Sequence, residues 1–203
     1  MIYLKVFNMI YRHAFKALID ITLSVIGLIV CCIPMLIIAI VIKCESKGPA
    51  LFKQKRLGKN QKVFTVYKFR TMCDHAFEKG GVASSEQDSR ITKVGKFLRK
   101  TSLDEIPQMI NIIKGEMAII GPRPILPFEF EEYKDNPRYA HRYDAKPGMF
   151  CTVDIDLRAT ATREQQFEMD AEYVDKMSFG LDFKVFFGII KTVVLGKNVY
   201  KEQ

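Results

Sequence analysis

The sequence lacks the patterns that mark a zinc centre or a disulfide framework. Its five cysteines, Cys31, Cys32, Cys44, Cys73 and Cys151, contain no C-x2-C pair, and their number is odd. Two of them lie inside an apolar run, where cysteine behaves as a small hydrophobe; the pattern indicates a reducing compartment without structural disulfides. Histidine occurs three times and tryptophan not at all. His141 has no partner at ligand spacing and reads as a surface residue. There is no internal repeat and no low-complexity segment. Only one apolar run is long, which excludes a polytopic transporter. The 203 residues, 48% of them apolar and 27% charged, suit one domain with an appendage. The net charge of +8 points to a partner that carries negative charge, whether nucleic acid, anionic lipid or a phosphorylated substrate.

The long run is Ile21–Ile42, 22 residues without a charge between Asp20 and Lys43. That is enough for a helix to cross a hydrocarbon core of about 30 Å, and too long for a cleavable leader. Lys5, Arg12 and Lys16 precede it, while Lys43, Lys47, Lys53, Lys55 and Arg56 follow. Basic flanks favour the cytoplasmic side, and a straight span cannot place both there. Pro34 removes a backbone hydrogen bond past the middle of the run. The expectation is therefore a re-entrant helix, kinked at Pro34, that enters and leaves on one face. Residues 2–18 mix apolar and basic positions and suit an interfacial lead-in helix.

In the rest of the chain, Ala50–Lys53 and Lys62–Lys68 have β-branched and aromatic content and read as two strands around a Gly58–Gln61 turn. In a strand, Lys68 and Arg70 would project to the same side as a small phosphate-facing clamp; a solvated basic face is the alternative. Glu78–Ser89 reads as a mobile loop. Ile91–Arg99 and Thr162–Lys176 have helical character. Phe179–Val194 is apolar but carries Asp182, Lys184 and Lys191, so it is either an interfacial helix or a core helix.

The most informative stretch is Thr101–Pro124. Ser102-Leu103-Asp104-Glu105 matches the S-x-x-E capping box that opens helices. Pro107 strains that reading, because its missing N–H falls where a helix needs one. A start nearer Asp104 places both carboxylates at the positive end of the helix dipole, which favours their ionised forms. Paired ionised carboxylates suit a nucleophile or a Mg²⁺ ligand. Gly121-Pro122-Arg123-Pro124 fixes the backbone on both sides of an arginine whose planar guanidinium suits phosphate; a plain turn is the alternative.

Four motifs taken together, Lys68-Phe69-Arg70-Thr71-Met72, Ser102–Gln108, Lys114-Gly115-Glu116-Met117 and Gly121–Pro124, resemble the signature of bacterial sugar transferases, and more narrowly of the small monotopic phosphoglycosyl transferases. The resemblance extends to Leu181-Asp182-Phe183-Lys184. It implies transfer of a sugar phosphate from a nucleotide diphosphate sugar to a polyprenol phosphate, with release of UMP. It implies Asp104 as the nucleophile, Glu105 as its partner, and Mg²⁺ held by the two. Lys68 and Arg123 match positions near the phosphates, and Arg70, Arg99 and Arg158 are further candidates. It also implies a re-entrant membrane segment. The sequence departs from the family at Ile33, where serine is usual before the proline. It departs again over Met149–Arg158, where a tryptophan-containing stretch is usual and only Arg158 matches.

The expected fold is mixed α/β and helix-dominated. Residues 1–43 form the membrane-inserting helix and residues 44–203 a small catalytic domain at the cytoplasmic face of the bacterial inner membrane, with interfacial helices. The expected partners are a UDP-sugar donor, an undecaprenyl phosphate acceptor and the bilayer, with a homodimer as a candidate assembly and no nucleic acid. Two rival readings are a basic membrane-anchored module that binds anionic lipid or nucleic acid without chemistry, and a hydrolase that uses the same carboxylates.

Overall fold

A computed structural model describes residues 7–74, 76, 88–157 and 161–194. Helix α1, Lys16–Glu45, carries the apolar run and continues through Pro34 without interruption. At 1.5 Å per residue its 30 residues extend about 45 Å. Residues 7–15 lead into it helically, with a π-helical stretch at Tyr11–Phe15. One stripe of α1 is occupied by the rest of the chain. Lys16, Asp20, Ser24 and Ile42 are buried, and Met35, Ile38 and Ala39 pack on Phe69 and Leu98. Gly27 lies so close to Met109 that an added Cβ would come within 2.8 Å of its sulfur. These positions recur every three or four residues, the period of one helical face. Leu23, Ile29, Val30, Ile33, Leu36 and Ile37 on the other faces are exposed.

Strands β1 (Leu51–Leu57) and β2 (Val63–Phe69) form an antiparallel hairpin in which Leu51 faces Phe69 and Leu57 faces Val63. The turn falls where the sequence places it, while β1 runs four residues further than the alternation of Ala50–Lys53 suggests. Helix α2 (Lys93–Thr101) is capped by Thr92, whose hydroxyl accepts from the Gly95 amide at 2.9 Å. Helix α3 (Met109–Ile113), strand β3 (Ala118–Ile120) and strand β4 (Gly148–Phe150) follow, β3 and β4 pairing in parallel. Helix α4 (Arg163–Lys176) opens with a capping box between Thr162 and Gln165, and helix α5 (Phe179–Val194) ends the described part. The Glu78–Ser89 loop reading falls almost entirely outside the described residues.

The two readings of Phe179–Val194 each apply to one face. Val185 and Ile189 pack into a core with Ile120, Tyr173 and Val174, whereas Phe179, Phe183, Phe186 and Phe187 are exposed. A buried carboxylate ties this helix to the start of α1 and the residues that lead into it. Asp182 accepts hydrogen bonds of 2.6 Å each from Tyr11, Lys16 and Tyr173. A second core gathers Leu57, Ile125, Phe130, Tyr143 and Phe167 in edge-to-face aromatic contacts. The architecture is helix-dominated and mixed α/β.

Candidate active site

The two adjacent carboxylates sit on a 3-10 turn, Leu103–Gln108, between α2 and α3. Pro107 accounts for the tight winding, because its ring would clash with the Leu103 carbonyl in an α-helix. Ser102 does not form the capping box its S-x-x-E pattern suggests. It adopts a left-handed conformation (φ 57°), closes α2 and opens the 3-10 turn without a side-chain cap. Asp104 stands in the first turn of the 3-10 helix, where its own amide donates a hydrogen bond to the carboxylate, but burial outweighs that stabilisation. It pushes the Asp104 carboxyl up to about 6, against the pull of Lys68; the Glu105 charge pushes the same way and Arg99 opposes it.

Lys68 on β2 donates to Glu105 Oε1 at 2.5 Å. The buried Asn111 side chain fixes this alignment. It accepts from the Tyr67 amide at 3.1 Å and donates to the Thr65 carbonyl at 2.7 Å, so α3 completes the open edge of β2. Arg99 stands near the dyad, its Nε donating to Thr71 Oγ1 at 2.9 Å.

Arg70 is not beside Lys68. Strand β2 ends at Phe69, so the two-residue alternation no longer applies. The Arg70 guanidinium is buried against the end of α1, donating to the carbonyls of Ser46 and Lys47 at 2.8 and 2.6 Å. The phosphate clamp expected from Lys68 and Arg70 together is replaced by two separate roles. Arg158 lies outside the described residues.

Arg123 is held from both sides by a pair that the sequence reading missed. Its carbonyl accepts from Arg142 Nη2 at 2.5 Å and its amide donates to Asp170 Oδ1 at 3.3 Å. Arg142 and Asp170 are themselves paired at 2.5 Å, each side chain 1% exposed. Gly121 and Gly148 permit the close approach of β3 and β4 beneath this turn, since a Cβ on Gly148 would lie 2.2 Å from the Gly121 nitrogen. The Arg123 side chain donates to Asp154 at 2.8 Å. Asp154 also accepts from the amide and thiol of Cys151, and burial followed by that carboxylate keeps the thiol well above its ordinary pKa.

Lys68, Glu105 and Arg123, though not Asp104 or Arg99, line a cavity of about 180 Å³ together with Arg56, Glu129 and Arg163. The last three were not read as site residues; Arg56 resembles one more cation flanking the membrane run. Its partners come from remote segments. Glu129 sits 3.6 Å from Arg56 and also pairs with Arg163. Burial pulls the Arg56 guanidinium down to about 10; Glu129 opposes this, while Arg123 and Arg163 reinforce it.

Asp104 and Glu105 are hard oxygen donors, and among the described residues no third carboxylate, histidine or cysteine completes a metal cluster with them. Two carboxylates with substrate phosphates are the donor set Mg²⁺ commonly takes, so these residues fit that ion.

The bacterial sugar transferase family matches residues 11–196. The chain is 36% identical over 186 residues to the uncharacterized sugar transferase EpsL of Bacillus subtilis (strain 168), covering 91% of this chain and 89% of that one. It is 35% identical to the exopolysaccharide production protein PSS of Rhizobium leguminosarum bv. phaseoli, over 94% of this chain and 99% of that one. It is 36% identical to the UDP-glucose:undecaprenyl-phosphate glucose-1-phosphate transferase of Klebsiella pneumoniae, covering 92% of this chain but 41% of the relative. The chain thus belongs to the bacterial sugar transferase family.

Proposed function

We propose that this protein transfers a sugar 1-phosphate from a UDP-sugar to a polyprenol phosphate, with Asp104 as the nucleophile. The observation that carries the reading is a partly buried carboxylate with its pKa near 6, adjacent to Glu105, which with its partner Lys68 lines a cavity rich in cations. The chemistry balances in two steps. An Asp104 oxygen attacks the sugar-bearing phosphorus, the bond to UMP breaks, and its electron pair leaves on the UMP phosphate. A polyprenol phosphate oxygen then attacks the same phosphorus, and the Asp104 carboxylate is regenerated as the leaving group. Asp104 and Glu105 would hold Mg²⁺, which supplies charge neutralisation on the diphosphate. Lys68 holds Glu105 in place and lowers the cost of ionising Asp104. Arg123 adds a fixed guanidinium on the rigid turn opposite.

The packing of α1 supports a segment that is re-entrant rather than spanning. A helix with one stripe covered by the catalytic domain from Asp20 to Ile42 does not project alone through a bilayer. Its exposed apolar faces and the phenylalanines of α5 suit insertion from one side, the cytoplasmic one by the charge of the flanks. That geometry would bring Asp104 to the depth of the lipid phosphate.

The test is UMP release from a panel of UDP-sugars by detergent-solubilised protein with Mg²⁺ and undecaprenyl phosphate, comparing wild type with Asp104→Asn. Release that depends on both the lipid and Asp104 is the expected result. Release without lipid would indicate a hydrolase. If Asp104→Asn changed nothing measurable, the reading of a binding module would replace this one.

A further inference from the structure

Three guanidiniums line the cavity, and Glu129 lies between two of them. Arg56 is held independently of Glu129: its Nε and Nη2 donate to Gln54 Oε1 at 3.1 and 2.6 Å, and its Nη1 to the Pro124 carbonyl at 3.4 Å. Arg163 stands at the first turn of α4, donates to Gln166 at 3.0 Å, and meets the other oxygen of Glu129. The Glu129 side chain is 12% exposed, whereas Arg123 and Arg163 are 43% and 40% exposed and accessible from solvent. Glu105 and Lys68 occupy another part of the same wall, with Arg123 close enough to Glu105 to feel its charge.

We propose that Arg56, Arg123 and Arg163 form a subsite for the phosphate of the departing nucleoside monophosphate, and that Glu129 is the counter-ion this phosphate displaces. The inference rests on the proposed function and extends it to the other end of the donor. When the bond to the sugar-bearing phosphorus breaks, its electron pair stays on the departing phosphate, which becomes a dianion. Charge develops there and nowhere else on the leaving group, so donors fixed at that point stabilise the step. A guanidinium fork offers paired N–H groups to phosphate oxygens, which a single carboxylate between two arginines satisfies only in part. In the absence of ligand, Glu129 separates like charges; with the nucleotide bound, it competes for Arg163 and keeps the product from binding too tightly. Arg56 serves as the positioning member, since Gln54 and Pro124 already use most of its donors.

Opposite effects of two substitutions test this. UMP affinity is measured by calorimetric titration of the full chain in detergent at low salt, together with UMP inhibition of transfer. Arg163→Gln is expected to weaken UMP binding about tenfold to a hundredfold, the loss of one charge-assisted contact. Glu129→Gln retains an oxygen for the Leu126 amide, which Glu129 caps at 2.8 Å, and is expected to tighten UMP several-fold. If Glu129→Gln does not fold, Arg163→Lys carries the test, with an expected affinity between those of wild type and Arg163→Gln. Equal weakening by both cavity variants, or no effect of either, overturns the inference. If wild type also transfers sugar phosphate in that case, the inference falls alone. If wild type neither binds UMP nor releases it from any UDP-sugar, the proposed function falls and takes the inference with it.

Discussion

Replacing Asp104 by asparagine is expected to stabilise the folded protein at neutral pH while abolishing transfer. Burial raises the Asp104 pKa from 3.8 to about 6, so the folded state binds this proton more tightly than the unfolded chain does. Stability from this group is therefore greatest below pH 3.8, falls as pH rises toward 6, and is flat above. At about 1.4 kcal/mol per pH unit, the interval from 3.8 to about 6 corresponds to about 3 kcal/mol at pH 7.5. Asparagine has nearly the same shape and no charge to desolvate. The gain corresponds to roughly 6–12 °C in melting temperature for a domain of this size. The assay is thermal unfolding in detergent from pH 4 to 8 with EDTA present, so that no divalent cation offsets the carboxylate. The two proteins are expected to melt together near pH 4 and to separate by pH 7, with Asp104→Asn the more stable. Melting curves that keep a constant separation across this range would show that the carboxylate is not desolvated, and would refute the account of its raised pKa. The kinetic counterpart is a value of kcat/KM that rises about tenfold per pH unit below pH 6 and then levels off, because only the ionised form attacks.

Three further substitutions probe the surroundings of that carboxylate. Lys68→Met removes the largest influence holding the Asp104 pKa down, so the acidic limb of the pH–rate profile is expected to move above pH 6 and kcat/KM at pH 7 to fall about 10–100-fold; an unmoved limb would count against the role given to Lys68. Asp170→Ala leaves the buried Arg142 without its partner, and about 3–5 kcal/mol of stability is expected to be lost in thermal unfolding; a loss under about 1 kcal/mol would show that the pair does not hold the Arg123 turn. Gly148→Ala places a methyl group 2.2 Å from the Gly121 nitrogen, where only backbone movement relieves the clash. It is expected to cost more than about 2 kcal/mol and to lower activity with it; wild-type melting and turnover would contradict the close β3–β4 packing.

Arrangements set by neighbours along the chain are legible in the sequence. Asp104 with Glu105, and Arg123 between two prolines, are local arrangements that any fold of this stretch brings together. The hairpin turn is likewise set by a few adjacent residues. Arg70 was misread because a local rule was extended past the point where its element ends. Strand alternation gives Arg70 a shared face with Lys68 only while the strand lasts, and β2 stops one residue earlier. Ser102 stands at the start of the 3-10 turn as its pattern suggests, but in its left-handed conformation its side chain makes no capping hydrogen bond. Arg56, Arg142, Asp154, Glu129 and Asp170 carried no signal, because each gains its meaning from a partner in a distant segment, and a lone charge in an amphipathic stretch looks like solvated surface.

The same distinction decides how Asp104 is activated. An α-helix starting at this residue would have lowered its pKa through the helix dipole and made a ready nucleophile at any physiological pH. Pro107 prevents that helix by forcing a 3-10 turn, and the carboxylate enters a partly buried position whose desolvation outweighs the amide hydrogen bond it receives there. Its ionisation then depends on cations supplied through space, Lys68 foremost and Arg99 after it, opposed by the charge of Glu105. A carboxylate held near pH 6 in this way is ionised at neutral pH yet only partly stabilised there. In the proposed reaction such a carboxylate would stay reactive toward phosphorus, where one fully neutralised by its own protein would be less so. The Lys68–Glu105 pair limits that neutralisation, because Glu105 occupies the ammonium at 2.5 Å and leaves Asp104 only part of its field.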